Sequence, residues 1–186
     1  MPTNRITYYS ATLWCVVLLT FMGCAPKKAP PISMDLAQES IIPIPVSVKA
    51  TNSSFELTDQ SEIYVQTGSE ELLKIGQFLA DKLNPSTGFG FTVKASTATP
   101  DDGNIYLSLK KDAALGEEGY VLNITPELVH LEANAPAGLF RGVQTIRQLL
   151  PAKIEMSSKQ EGPWRMASGT INDVPVYAFR GAMFDV

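Results

Sequence analysis

The chain contains three adjacent carboxylate pairs, Glu70–Glu71, Asp101–Asp102 and Glu117–Glu118, and a single histidine, His130. Paired carboxyl groups held across a bond are the equipment of acid–base hydrolysis of glycosides, so each pair is a place to look for chemistry. The surroundings give each pair a structural reading. Asp101–Asp102 precedes Gly103 and Glu117–Glu118 precedes Gly119, the composition of turns. Glu70–Glu71 follows Ser69 at the start of a helical pattern, where two negative charges complement the positive end of the helix dipole. His130 lies in a strand-like alternation between Val129 and Leu131. It has no HExxH context and no second histidine, so it is expected on a solvent face as a structural residue. No GxSxG, Walker A or helix-opening GxGxxG is present, and Gly88-Phe89-Gly90-Phe91 reads as a turn into a strand. From spacing alone the chain carries no catalytic centre, metal site or cofactor site.

The elements that would position such residues follow from periodicity. Phe55–Leu57, Ile63–Val65, Phe91–Ser96 and Ile105–Leu109 read as strands; in the last, Ile105, Leu107 and Leu109 alternate with Tyr106 and Ser108, which predicts one buried face. Tyr120–Ile124 and Val129–Ala133 are joined by Thr125-Pro126-Glu127-Leu128 and read as an antiparallel hairpin. Ser69 caps a helix whose face is Leu72, Ile75, Gly76, Leu79 and Leu83, with Lys82 in the last turn and Asn84-Pro85 as the stop. A second helix is capped by Asn134, admits Pro136 in its first turn, buries Leu139, Phe140, Val143, Ile146, Leu149 and Leu150, and stops at Pro151. Ala152–Trp164 is polar and reads as a loop, after which an extended apolar pattern resumes. The predicted class is α+β: one mostly antiparallel sheet with two helices on one side, spanning residues 41–175.

The N-terminus has a different character. Arg5 precedes Ala11–Met22, a run of twelve mostly apolar residues. That is shorter than the roughly 20 needed to span a bilayer and fits the apolar core of a secretory signal. Gly23-Cys24 follows directly. This resembles a bacterial lipobox, with Phe21 where Leu is usual, and implies that residues 1–23 are a lipoprotein signal and that Cys24 is the lipidated mature terminus. The other cysteine, Cys15, lies inside the signal, so the mature chain has no partner for an internal disulfide. Residues 24–40, with their prolines and lysines, read as a tether. The expected location is the bacterial cell envelope, lipid-anchored at the outer membrane or periplasmic face.

Over 186 residues the net charge is −4, with 45% hydrophobic and 18% charged residues. Basic residues are dispersed, which argues against a nucleic-acid partner.

Taken in order, four segments carry a resemblance: IIPIPVSVKATNSSFEL (41–57), GYVLNITPELVHLEA (119–133), APAGLFRGVQTIRQLLP (135–151) and TINDVPVYAFRGAMFDV (170–186). Together they resemble the N-terminal part of bacterial β-N-acetylhexosaminidases, glycoside hydrolase family 20. The resemblance implies that residues 176–186 enter the first strand of a (β/α)8 barrel that is cut short. It implies that Arg180 reaches hydroxyls of a terminal amino sugar, that Asp185 is a structural acid, and that the catalytic Asp-Glu pair lies downstream. The parent would remove terminal β-linked GlcNAc or GalNAc by substrate-assisted retaining hydrolysis, taking an amino-sugar glycan as substrate and no cofactor. The chain alone is then expected to be inactive. The alternatives are a stand-alone envelope lipoprotein module and the accessory domain of another glycosidase family.

Overall fold

Two amphipathic helices need an apolar sheet face to cover, and the strands supply it. The computed structural model describes residues 30–177 and Gly181. In chain order the elements are β1 (Ser47–Leu57), β2 (Ile63–Gln66), α1 (Glu70–Thr87), β3 (Val93–Ser96), β4 (Asn104–Leu109), β5 (Tyr120–Ile124), β6 (Leu128–Ala133), α2 (Pro136–Leu149) and β7 (Trp164–Asp173). Short 3-10 turns lie at Leu36–Gln38, Ala113–Leu115 and Ala152–Glu155. The strands form one 7-stranded sheet in the order β1-β7-β5-β6-β4-β2-β3.

The class is α+β, with one correction. The sheet is mixed rather than mostly antiparallel: β1/β7, β7/β5 and β5/β6 are antiparallel, while β6/β4, β4/β2 and β2/β3 are parallel. Side-chain alternation marks a strand without giving its direction. Direction follows from the connections, and α1 is a crossover that returns the chain to the end of the sheet at which β2 began, so that β3 runs parallel to it. The Thr125 turn instead reverses the chain directly: its hydroxyl accepts from the N–H groups of Glu127 and Leu128 at 3.2 and 3.0 Å.

Both helices lie on the same face, Phe78 of α1 meeting Phe140 of α2 with ring centroids 5.1 Å apart. Leu72, Leu79 and Leu83 from α1 and Leu139, Val143 and Ile146 from α2 are buried in one core with Phe55, Leu122, Leu131 and Ile171. Glycine permits the close approach. A Cβ on Gly76 would stand 2.8 Å from Val65 and 2.9 Å from Val93, and one on Gly142 would collide with Leu131.

Local expectations hold in part. Ser69 caps α1, accepting from Leu72 N–H at 3.3 Å. Pro85 does not stop that helix, which continues to Thr87 and ends at Gly88 in the left-handed region with φ 68°. Pro85 sacrifices one N–H near the end, and the Asn84 side chain ties the exit by bonding both N–H and C=O of Phe91, at 2.6 and 3.2 Å. Asn134 is not the cap of α2; that position is Ala135, without a side-chain bond. Asn134 instead accepts from Asp112 N–H at 3.2 Å and donates to Gly116 C=O at 2.9 Å, holding the β4–β5 connection. Phe140 is 39% exposed rather than core. In β4 both faces are covered: Tyr106 and Ser108 are each 6% exposed.

The folded unit starts upstream of Ile41. Leu36, placed in the tether by composition, is 1% exposed within the core, and Ser54 Oγ donates to Ile32 C=O at 2.7 Å. The polar stretch before β7 hides Ile154 at 1% exposure, and Trp164, also at 1%, opens β7 itself. β7 lies inside the sheet between β1 and β5, which its polar, glycine-containing sequence does not advertise.

Candidate functional site

The sequence-flagged acids do not converge. Asp101 and Asp102 form a turn closed by Gly103, at φ 88°, with Asn104 Nδ2 donating to Asp101 C=O at 2.9 Å. Glu70 and Glu71 occupy the first turn of α1. Glu118 is paired with Arg141 of α2, Nη2 to Oε1 at 2.5 Å. Among the described residues no group of three or more His, Cys, Asp or Glu side chains could hold a metal ion, and no helix is long and apolar enough to cross a membrane. Cys24, Arg180 and Asp185 lie outside the described residues.

His130 is half-buried on the sheet face away from the helices. Its ring stacks on Tyr106 with centroids 5.0 Å apart, and its Nε2 is 2.8 Å from Ser108 Oγ. Burial pushes its pKa below the usual 6.5; Glu132 opposes that shift and Lys110 adds to it. A serine beside a histidine can form a nucleophile pair, but Ser108 is 6% exposed and stands in mid-strand. The pair is a packed polar contact on that face.

A concavity of about 420 Å³ lies on the helix side. Three elements build it. The first is the Ile42–Val46 segment leading into β1. The second is the outer face of α2, contributing Arg141, Gln144, Thr145 and Gln148. The third is the stretch Asp173–Tyr177 that leaves β7. Gln148 pins the first to the second, its Oε1 accepting from Ile42 N–H at 2.9 Å and its Nε2 donating to Ile42 C=O at 3.0 Å. Asp173 Oδ1 accepts from Val46 N–H at 3.4 Å, tying the first to the third. At the floor, Tyr120 Oη and Thr145 Oγ1 are 2.6 Å apart, and burial pushes the Tyr120 phenol up to about 12. The rim is apolar and open to water: Ile42, Ile44, Val46, Val176 and Tyr177 are 67–88% exposed. None of the residues that build this groove was singled out by sequence reasoning for chemistry. The Ile42–Gln148 link joins positions 106 apart, and no local pattern encodes it.

With the geometry in view, comparison with known proteins is direct. The sequence model of glycosyl hydrolase family 20, domain 2, matches residues 38–174. A β-hexosaminidase of Porphyromonas gingivalis is 33% identical over 185 residues, covering 98% of this chain and 23% of that protein. A β-N-acetylhexosaminidase of Cellulomonas fimi is 30% identical over 147 residues, covering 79% of this chain and 28% of that protein. Among solved structures, the family 20 β-N-acetylhexosaminidase from Streptomyces coelicolor superposes with a TM-score of 0.70 at 41% identity, over 82% of this chain and 29% of that one. The chain thus spans about a quarter of the length of these relatives, and what it spans is the mixed sheet with its two helices. It belongs to glycosyl hydrolase family 20, of which residues 38–174 are domain 2.

Proposed function

We propose that the chain supplies the accessory domain of a β-N-acetylhexosaminidase that removes terminal β-linked GlcNAc or GalNAc from glycans. The observation that carries this reading is the match to a β-hexosaminidase across 98% of this chain. Within the family reading the substrate's own 2-acetamido oxygen is the nucleophile, so the two-carboxylate spacing rule does not apply. The Asp-Glu pair that would orient and protonate is not among the described residues, and no acid pair there stands in for it. Domain 2 contributes a frame, and the chemistry belongs to the polypeptide that would follow.

Two sites extend the proposal. Arg180 would present its fixed fork of donors to vicinal hydroxyls of the terminal amino sugar. Cys24 would carry lipid and hold the enzyme at the cell envelope. The decisive experiment is to sequence the DNA past codon 186, express the whole reading frame and assay an aryl β-N-acetylglucosaminide. Turnover is expected from the whole and none from this chain alone. A stop codon directly after Val186 would overturn the enzyme reading. In the whole enzyme Arg180→Ala should lower kcat/KM about ten- to a hundred-fold, with poor rescue by Lys. Incorporation of a palmitate analogue should mark the wild type and miss Cys24→Ser; equal labelling of both would remove the anchor.

A further inference from the structure

On the sheet face turned away from the helices, strand pairing places one outward side chain from every strand in a single row. Lys94, Tyr64, Tyr106, His130, Asn123 and Thr170 follow one another, with Lys49 of β1 beyond. Neighbouring strands lie about 4.8 Å apart, so the row repeats at that interval over about 29 Å. The sheet twists about the row, each strand turned by roughly 20° from the last, so the row itself stays straight.

These side chains are bonded with capacity left over. Lys94 gives one of its three N–H donors to Glu62, and Asn123 accepts from Thr170 through Oδ1, which leaves both of its amide N–H groups. The Tyr64 hydroxyl donates to Glu62 and can still accept, as can the Thr170 hydroxyl. Tyr106 and His130, stacked with centroids 5.0 Å apart, stiffen the middle of the row. Groups already held in place lose little freedom when a ligand arrives.

The chemistry of the row selects its ligand. Among the described residues no large apolar side chain is exposed on it, so it lacks the anchors of a protein interface. Glu62 neutralises Lys94, and Glu132 beside the row adds a further negative charge, which disfavours a polyanion. What fits is a neutral chain of hydroxyl and amide groups, straight, able to twist about its axis and repeating at close to the strand spacing. An extended β-1,4-linked glycan has those properties.

We propose that this row is a binding site for an extended β-1,4-linked N-acetylglucosamine chain, laid across the strands with one sugar per strand. The straight β-linked geometry rests on the row alone; the identity of the sugar rests on the hexosaminidase reading above. The probe is the β-1,4-linked N-acetylglucosamine hexamer, titrated into this chain alone, from which no turnover is expected. Calorimetry reads affinity and backbone amide NMR shifts read the place. The comparisons are the dimer and maltohexaose, whose α-1,4 linkage coils it away from a straight row. The hexamer should bind at least about tenfold tighter than either, and the amides of β2, β4, β5, β6 and β7 should shift while those of α1 and α2 should not. Tyr64→Phe combined with Asn123→Ala should weaken the hexamer about tenfold or more, and Asn123→Ala alone, on an exposed side chain, about fivefold. Gln77→Ala on the exposed side of α1 should match wild type. No binding of the hexamer, equal affinity for maltohexaose, shifts confined to the helices, or unchanged affinity in a folded Asn123→Ala would each overturn the proposal. Activity of the whole reading frame is a separate readout. A whole enzyme that hydrolyses the aryl substrate, with the hexamer leaving the row of this chain untouched, keeps the hexosaminidase reading and removes this site. A stop codon after Val186, with the hexamer bound along the row, does the reverse.

Discussion

The face of the sheet turned away from the helices and the groove beside α2 both meet water, and they meet it in opposite ways. Across the outer face one register row carries Lys94, Tyr64, Tyr106, His130, Asn123 and Thr170, one residue from each successive strand. Its members are bonded within the row or to polar neighbours beside it: Lys94 with Glu62 at 2.5 Å, Tyr64 with Glu62 at 2.7 Å, His130 with Ser108, and Thr170 with Asn123 at 3.1 Å. Such a surface is finished against water. In the groove Gln148, Asp173, Thr145 and Arg141 are each bonded as well, yet the rim leaves aliphatic side chains open. The difference teaches that exposure alone does not identify a functional surface. What matters is whether the exposed atoms already have what they need, and aliphatic carbon in water does not.

The largest expected effect lies beneath both surfaces, on the face the helices cover. Leu79→Ala and Ile146→Ala should each cost about 2–5 kcal/mol in denaturant unfolding of this chain, because each leaves a cavity in a core with no exposure. A loss below about half a kcal/mol at both positions would mean that neither helix seals the sheet, and the comparison of the outer surfaces would lose its basis.

Tyr120→Phe probes the groove floor. It removes the hydroxyl that meets Thr145 and leaves a buried Thr145 Oγ1 without its partner, at an expected cost of about 1–3 kcal/mol. A neutral result, with the double substitution Tyr120→Phe and Thr145→Val equally neutral, would show that the floor is as loosely held as the rim.

On the outer face, His130 makes stability depend on pH. Burial favours its neutral form, so the unfolded chain binds a proton more readily than the folded one. Stability on this account is full above the ordinary 6.5 and declines as pH falls through that value toward the lowered folded pKa. His130→Gln removes the titrating ring, so the difference between the stability–pH curves of variant and wild type reads the contribution of His130 and its interactions. Superimposable curves from pH 8 to pH 5, roughly the span over which histidine charges, would show that the outer row does not discriminate between protonation states.

The smallest effect is expected at the rim. Ile44→Asp in this chain should change stability by less than about 0.5 kcal/mol, since the side chain is 88% exposed and seals nothing. A larger loss would show that the rim belongs to the fold, and the contrast between the two surfaces would dissolve.

Much of the local structure was legible in the residues. Ser69, Glu70 and the Leu72–Leu83 spacing specify α1 because a cap, a dipole and a stripe all act within a few turns. The Tyr120–Ala133 hairpin was legible because its turn chemistry lies between its strands. Asn134 and Pro85 were misread for one reason: each side chain or ring had a local role on offer, and a contact from another part of the chain decided. Asn134 goes to Asp112 and Gly116, and the Asn84–Phe91 bonds carry the chain past Pro85. Beyond that hairpin, direction within the sheet and the interior place of β7 were not legible, since period-two alternation is the same for a parallel, an antiparallel, an edge and a central strand.

By itself the sequence determined where helices and strands form, which of their faces are apolar, that the flagged acid pairs are turn and cap residues, and, through ordered segments spread from Ile41 to Val186, a resemblance to family 20. These are properties of short-range sterics, hydrogen bonding and local periodicity. Only the tertiary structure decided the strand order, the mixed direction of the sheet, the satisfied outer row and the groove. Each of these joins residues far apart in the chain, as Ile42 and Gln148 are joined across 106 positions. The free energy of such a contact depends on what the rest of the fold has already brought together, and no local stretch of sequence contains that information.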